Sequence, residues 1–250
     1  MTGQPEGLGY RGPVLTPHQA LSDLIGEDPT RPAITFYDDA PGPTQGERIE
    51  ISRRVLGNWA AKAANALQEG LDVQRGSVVL IDLPCPHWRT CYWALAVWAV
   101  GATLTLDHHE GADVLVTHDP DSPTAEDADE VVAVTLAALA REYAGDLRTG
   151  VMDEAKEVSS FGDSFHAWDE PEPDDDALVH DGGRTTYEDL FPPAQWPTGS
   201  RVLVTGDSAY AMLRHLLHAL RTGSSLVLVR GSEPEADEHR MAAEGVTLRA

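Results

Sequence analysis

Short, almost unbroken apolar runs alternating with helix-length stretches constrain this chain most. Val78–Leu83 reads VVLIDL and Thr103–Leu106 reads TLTL, with Pro84 and Gly101 as punctuation. Runs of this kind fit strands buried on both faces, the usual strands of parallel sheets. Between them, residues 87–100 carry enough continuous apolar sequence for a buried helix. Asp113–Thr117, Arg201–Thr205 and Leu226–Val229 repeat the strand pattern, and Ser208–Arg221 and Glu235–Ala243 the helical one. Alternation of strand and helix implies an α/β fold, with parallel sheets covered by helices on both faces.

The remaining segments follow the same logic. Residues 17–26 predict a short amphipathic helix with Leu21, Leu24 and Ile25 on one face. Ala33–Tyr37 and Arg48–Ile51 predict a hairpin with a long loop. Ser52 predicts the N-cap of a helix carrying Val55, Leu56, Trp59, Ala60, Ala63 and Leu67, and Gly70 its end. The acidic stretch DPDSPTAEDADE reads as a surface loop, Val131–Val134 as a strand and Leu136–Tyr143 as a helix. Residues 145–176 read as a connector with one short helix near Met152–Val158, and Val246–Leu248 begins a further strand. The expected organisation is a first α/β unit (1–122), an acidic loop and connector (123–176) and a second α/β unit (177–250), joined in one globule.

Charge narrows the partners. The formal net charge of −23 over 250 residues opposes nucleic acid, where Lys and Arg must neutralise phosphates, and anionic membrane surfaces. The N-terminal MTGQPEGLGYRG has no apolar core and is not expected to be a signal peptide. The longest apolar stretch, Cys91–Leu106, is shorter than the ~20 residues a spanning helix needs. Cys85 and Cys91 are the only cysteines, and without a larger framework they read as thiols of a reducing cytoplasm.

The segments RPAITFYDDA and GERIEISRRVLGNWAAKAANALQEGLDVQRGSVVLIDLPCPHWRTCYWALAVWAVGATLTLDH resemble the opening of an acyl-CoA synthetase. GADVLVTHD is similar to that family's next strand. TGSRVLVTGDSAYAMLRHLLHALRTGSSLVLVRGSEPEADEHRMAAEGVTL resembles the segment after its phosphate loop. The resemblance is to the adenylate-forming (AMP-binding) superfamily and, more narrowly, to a short actinobacterial group related to AMP ligases. It implies two parallel-sheet units like the first part of the large domain of those enzymes.

The same resemblance assigns residues 171–191, PEPDDDALVHDGGRTTYEDLF, to the place of the family's phosphate loop. That loop is rich in Gly, Ser and Thr and ends in Gly-Lys. Here it is Asp181-Gly182-Gly183-Arg184-Thr185-Thr186, and no Lys follows. Gly182, Gly183, Thr185 and Thr186 remain as the candidate cofactor-binding residues, a degenerate remnant with some donors to offer. Asp174, Asp175, Asp176 and Asp181 are expected to surround them with negative charge that opposes a triphosphate. The adenine-binding strand, metal-binding acid, ribose-binding Asp and catalytic Lys of the family are expected beyond Ala250. Lys62 and Lys156, the only lysines, sit in no matching motif. Thr205-Gly206-Asp207 imitates the family's Thr-Gly-Asp but comes too early and after the wrong strand.

Other constellations have plainer readings. Asp107-His108-His109-Glu110, with Asp113 and His118, holds ligand types suited to zinc or iron, but its spacing matches no standard pattern and reads as a polar loop rim. Ser208 lies at a strand-to-helix turn where a hydrolase nucleophile would sit; Tyr210 replaces the small residue such an elbow needs, so Ser208 reads as a helix cap. His215 and His218 read as surface or partly buried residues. Trp59, Trp88, Trp93 and Trp98 read as core anchors rather than a ligand box.

The resulting expectation is a non-catalytic relative of AMP ligases, without catalytic residues, metal or cofactor, that binds a ligand, a protein partner or itself. The alternative is half of a split acyl-activating enzyme completed by another chain. A third reading is a serine hydrolase using Ser208.

Overall fold

The computed structural model describes residues 14–108 and 111–250. The N-terminal segment read for a signal peptide therefore lies outside the described residues. Helix α1 spans Pro17–Glu27, started by a capping box in which Thr16 accepts from the Gln19 amide and Gln19 accepts from the Thr16 amide. Strands β1 (Pro32–Asp38) and β2 (Arg48–Ser52) form the expected antiparallel hairpin. Ser52 caps α2 (Arg53–Asn65), which widens into a π turn over Ala66–Gly70. Then come β3 (Val78–Asp82), α3 (Trp88–Ala99), β4 (Thr103–Thr105) and β5 (Val114–Thr117).

A short helix α4 (Pro123–Asp127) interrupts the stretch read as a plain loop, and β6 (Glu130–Ala133) follows it. The expected helix over Leu136–Tyr143 does not form. Its backbone is claimed from outside: Arg89 donates to Ala137 O, the Ala138 amide donates to Glu47 Oε2, and the Tyr143 amide donates to Asp153 Oδ2. These bonds offer the segment an alternative to a helical ladder. The connector contributes β7 (Met152–Asp153) and α5 (Glu154–Glu157). Strands β8 (Asp176–His180) and β9 (Gly183–Thr186) form a second hairpin. The chain continues through β10 (Arg201–Thr205), α6 (Ala209–Thr222), β11 (Ser225–Arg230), α7 (Pro234–Glu244) and β12 (Leu248–Arg249).

The strands make two sheets. One has the order β12-β10-β11-β1-β2 and the other β7-β6-β5-β3-β4-β8-β9. All neighbouring pairs are parallel except the two hairpins, β1–β2 and β8–β9. Each sheet draws strands from both sides of the 123–176 connector.

Burial follows the two-residue period of the strands. Leu226 and Leu228 of β11, and Val79 and Ile81 of β3, enter one shared core. Their neighbours Val227 and Val229, and Leu80, enter separate small cores on the outer faces, with Met241 of α7 beside the first and Ala125 of α4 in the second. All twelve residues of α3 are buried, as expected of a helix that is apolar all round. Trp88, Trp93 and Trp98 are among them, and the Trp98 indole donates to Ala177 O at 2.8 Å. These three are core anchors, as their sequence reading holds, and half-buried Trp59 packs against the same core.

One ionic cluster lies inside this fold and another on the outer face of a sheet. Arg89 and Glu154, both buried, pair at 2.8 Å with the Tyr92 hydroxyl also donating to Glu154. On the outer face of the β12-to-β2 sheet, Glu244 at the end of α7 accepts from Tyr37 of β1, Arg48 of β2 and Arg201 of β10. Burial raises the Glu244 carboxyl, but these hydrogen bonds outweigh it and hold it down at about 2.

Candidate functional site

Open parallel sheets present their ligands at the carboxyl ends of strands. In the larger sheet that rim is formed by the ends of β3, β4, β5 and β8, and the expected phosphate-loop remnant lies there. It is a tight hairpin turn. Asp181 (φ 50) and Gly182 (φ 68) are its two central residues, closed by the His180–Gly183 pair. Two successive left-handed residues in a two-residue connection are the favoured way to join twisted antiparallel strands, which explains the Asp-Gly sequence.

The turn aims its backbone donors at a carboxylate of the same chain. The Asp181 amide donates to Asp107 Oδ1 at 2.8 Å and the Gly182 amide to Asp107 Oδ2 at 2.9 Å. The neighbouring strand positions Asp107. β4 runs parallel to β8 with Thr105 opposite Val179, and the Leu106 amide donates to Val179 O at 3.1 Å. Asp107 therefore leaves β4 beside the turn, and Thr105 Oγ1 accepts its amide at 3.2 Å. Adjacent N–H groups of this kind form a nest for an anion, and here the anion is a side chain.

The other candidate residues divide between turn and strand. Gly183 opens β9, while Thr185 and Thr186 lie further along it, opposite Leu178 and Asp176. Thr185 lines a shallow groove of about 490 Å³ with Leu178, His180, Asp181, Gly183, Arg184 and Tyr210. Arg184, the one cation of the loop, is paired with Asp176. The expectation that four carboxylates surround the glycines needs correction. Asp174, Asp175 and Asp176 sit at or before the start of β8, about 13 Å along the strand from the turn. Asp175 is clamped by Arg75 at 2.5 and 3.1 Å, and that contact holds its carboxyl below the usual range. The carboxylates at the turn itself are Asp181 and Asp107. Neither lysine belongs to the hairpin: Lys62 donates to Ser159 O and Phe161 O, and Lys156 lies in α5.

The structure disperses the His/Asp run read as a loop rim. Asp107 serves the hairpin. His108 Nδ1 lies 3.1 Å from Thr124 Oγ1, Asp113 accepts the Val78 amide at 2.6 Å, and His118 O accepts from Tyr143. His109 and Glu110 lie outside the described residues. Ser208 caps α6, its hydroxyl accepting the Ala211 amide at 3.2 Å. His215 and His218 stack on Trp196 with ring centroids at 5.6 and 5.0 Å, and burial lowers both below the usual histidine value.

A second rim lies at the carboxyl ends of β1, β10 and β11. Asp39, Cys85, Thr205, Gly206, Asp207, Gly231 and Ser232 belong to an open crevice of about 750 Å³. The Thr205-Gly206-Asp207 run set aside on sequence grounds is thus part of its wall. Burial pushes the Cys85 thiol up to about 12, so it is not a poised nucleophile. The fold fact that composition could not supply is which carboxylate meets the turn; the visible signal was an Asp immediately after a strand parallel to the hairpin.

No family model matches the sequence. A TIGR03089 family protein of Mycobacterium tuberculosis (strain ATCC 25618 / H37Rv) is 34% identical over 245 residues, covering 91% of this chain and 94% of that protein. Among solved structures, an acyl-CoA synthetase of Brucella canis superposes with a TM-score of 0.70 at 16% identity, over 94% of this chain and 47% of the synthetase. An acetoacetyl-CoA synthetase of Streptomyces lividans gives 0.72 at 18% identity, over 94% and 42%. The NpsA N-terminal subdomain of Klebsiella oxytoca, solved in complex with 3-hydroxybenzoyl-AMSN, gives 0.63 at 16% identity, over 98% and 61%. The chain spans about half the length of the synthetases, and the fold it shares with them is that of their N-terminal domain, with the mixed α/β architecture expected from sequence.

Proposed function

The chain belongs to the TIGR03089 family, and we propose that it acts as a non-catalytic relative of AMP ligases that binds a ligand or a protein partner. One observation carries this reading. The two turn amides that would meet a phosphate both donate to Asp107. An incoming phosphate must displace a carboxylate tethered beside them, and the loop's one cation is held by Asp176. Without those donors the developing charge of phosphoryl or adenylyl transfer has no clamp, a loss on the order of 10²–10³ in rate per donor.

The reading is tested by acid-dependent pyrophosphate exchange with fatty and aromatic acids, expected at background, alongside calorimetry with Mg-ATP, expected to show no micromolar binding. Exchange above background would overturn it. Asp107→Ala, which frees both amides, is expected to raise affinity for inorganic phosphate.

A second reading, half of a split acyl-activating enzyme, is favoured by the chain's coverage of 47% and 42% of two synthetases. Co-purification distinguishes it. A partner chain that supplies an adenine site and restores exchange on mixing would establish the split enzyme. For a binding role, Leu139 and Trp168, exposed at 90% and 62%, are the first positions to alter.

A further inference from the structure

Beside the clamped turn stands a group of side chains that phosphate binding does not explain. Asp107, His180 and Asp181 each present one ligand atom, and the three lie within 4.8 Å of one another. They come from the end of β4, the end of β8 and the turn that follows. His180 Nδ1 is shut away from solvent and has no hydrogen-bond partner. Asp107 Oδ1 lies 3.8 Å from it. That is too far for a hydrogen bond. It is close to the roughly 3.0–3.4 Å that separates two ligands sharing one cation at bond lengths of about 2.1 Å.

We propose that Asp107, His180 and Asp181 bind a divalent first-row cation of the zinc type, with water completing its coordination. One imidazole with two carboxylates suits such an ion, whereas magnesium and calcium prefer oxygen alone. Two of the three ligands are already oriented. The Asp181 and Gly182 amides fix the Asp107 carboxylate, one amide on each oxygen. The His180 ring stacks on Tyr210 with centroids 4.6 Å apart and planes at 17°. Asp181 is the exposed ligand, at 86%: its Oδ2 lies 3.2 Å from His180 Nε2, the other nitrogen of the ring, and its side chain must turn to join an ion held at Nδ1. A net charge of −23 enriches cations around the whole molecule. The inference does not depend on the non-catalytic reading, because an adenylating protein could carry the same site.

The test is calorimetric titration of EDTA-treated protein with Zn²⁺, in parallel with Mg²⁺ and Ca²⁺. The ten histidines of the chain make a variant comparison essential. One Zn²⁺ site per chain is expected, weakened more than tenfold in both His180→Gln and Asp181→Asn and unchanged in His108→Ala. Asn tolerates the left-handed conformation that Asp181 adopts, so Asp181→Asn preserves the turn while removing the charge. Circular dichroism checks that each variant is folded. Absence of Zn²⁺ binding in the unmodified protein, equal binding in the folded variants, or equal binding of Mg²⁺ and Ca²⁺ would overturn the proposal.

Discussion

Two strand-to-turn junctions of this molecule use the same residues and reach opposite ends. After β8, Asp181-Gly182 closes a hairpin whose amides bind Asp107. After β10, Gly206-Asp207 opens onto α6, where Ser208 takes the capping role and the junction faces a crevice of about 750 Å³. The difference lies in the neighbouring strand. β4 delivers a carboxylate beside the first turn. At the second, β11 ends in Arg230, whose guanidinium is turned onto Asp38 at 2.6 Å and leaves the turn alone. A glycine-containing turn at a sheet's carboxyl end is thus filled or left open according to what the adjacent parallel strand carries.

Substitutions can break that contrast. The largest effect is expected from Asp107→Ala, which removes the charged acceptor that two amides now share. A loss of about 2–3 kcal/mol in urea unfolding is expected, with Asp107→Asn losing less because one carbonyl acceptor remains. A loss below ~0.5 kcal/mol would mean the clamp contributes little to the hairpin. Gly182→Ala meets no atom within 4 Å, so only its φ of +68 opposes the change. A cost of about 1–2 kcal/mol is expected from that backbone conformation. At the other junction, Ser208→Ala should cost about 1 kcal/mol through the lost cap, read as a lowered melting temperature with the crevice otherwise intact.

The legibility of the sequence divides along the same line. Elements fixed by their own residues are readable: the Ser52 cap and the helix read from residue 17 form where local patterns put them, and the buried runs of β3, β5 and β10 are parallel strands. Elements decided by distant partners were not. Leu136–Tyr143 has helical sequence, but Arg89, Glu47 and Asp153 hold its backbone. For the site, the turn glycines were legible from composition, but their occupant was not. Asp107 and Gly182 lie 75 positions apart, and only the register of β4 on β8 joins them. The acidic run Asp174–Asp176 was read as part of the site because it is near in sequence, though a full strand separates it from the turn.

The Glu244 cluster has a consequence for the protein in acid. This one carboxylate fastens the end of α7 to three strands at once, through Tyr37, Arg48 and Arg201. Its folded value, about 2, lies below its ordinary 4.5. The fastening is therefore fully present above pH ~4.5 and fades as pH falls toward 2, because the unfolded chain takes up the proton first. Amide exchange across an acid series should show α7 and β12 losing protection while α3, enclosed on every side, keeps its own. Glu244→Gln should bring that early exchange to neutral pH. In mechanical terms, the last helix is a hasp closed by several pins, Arg240 on Asp39 and Arg249 on Asp237 among them, and Glu244 is one that protons draw.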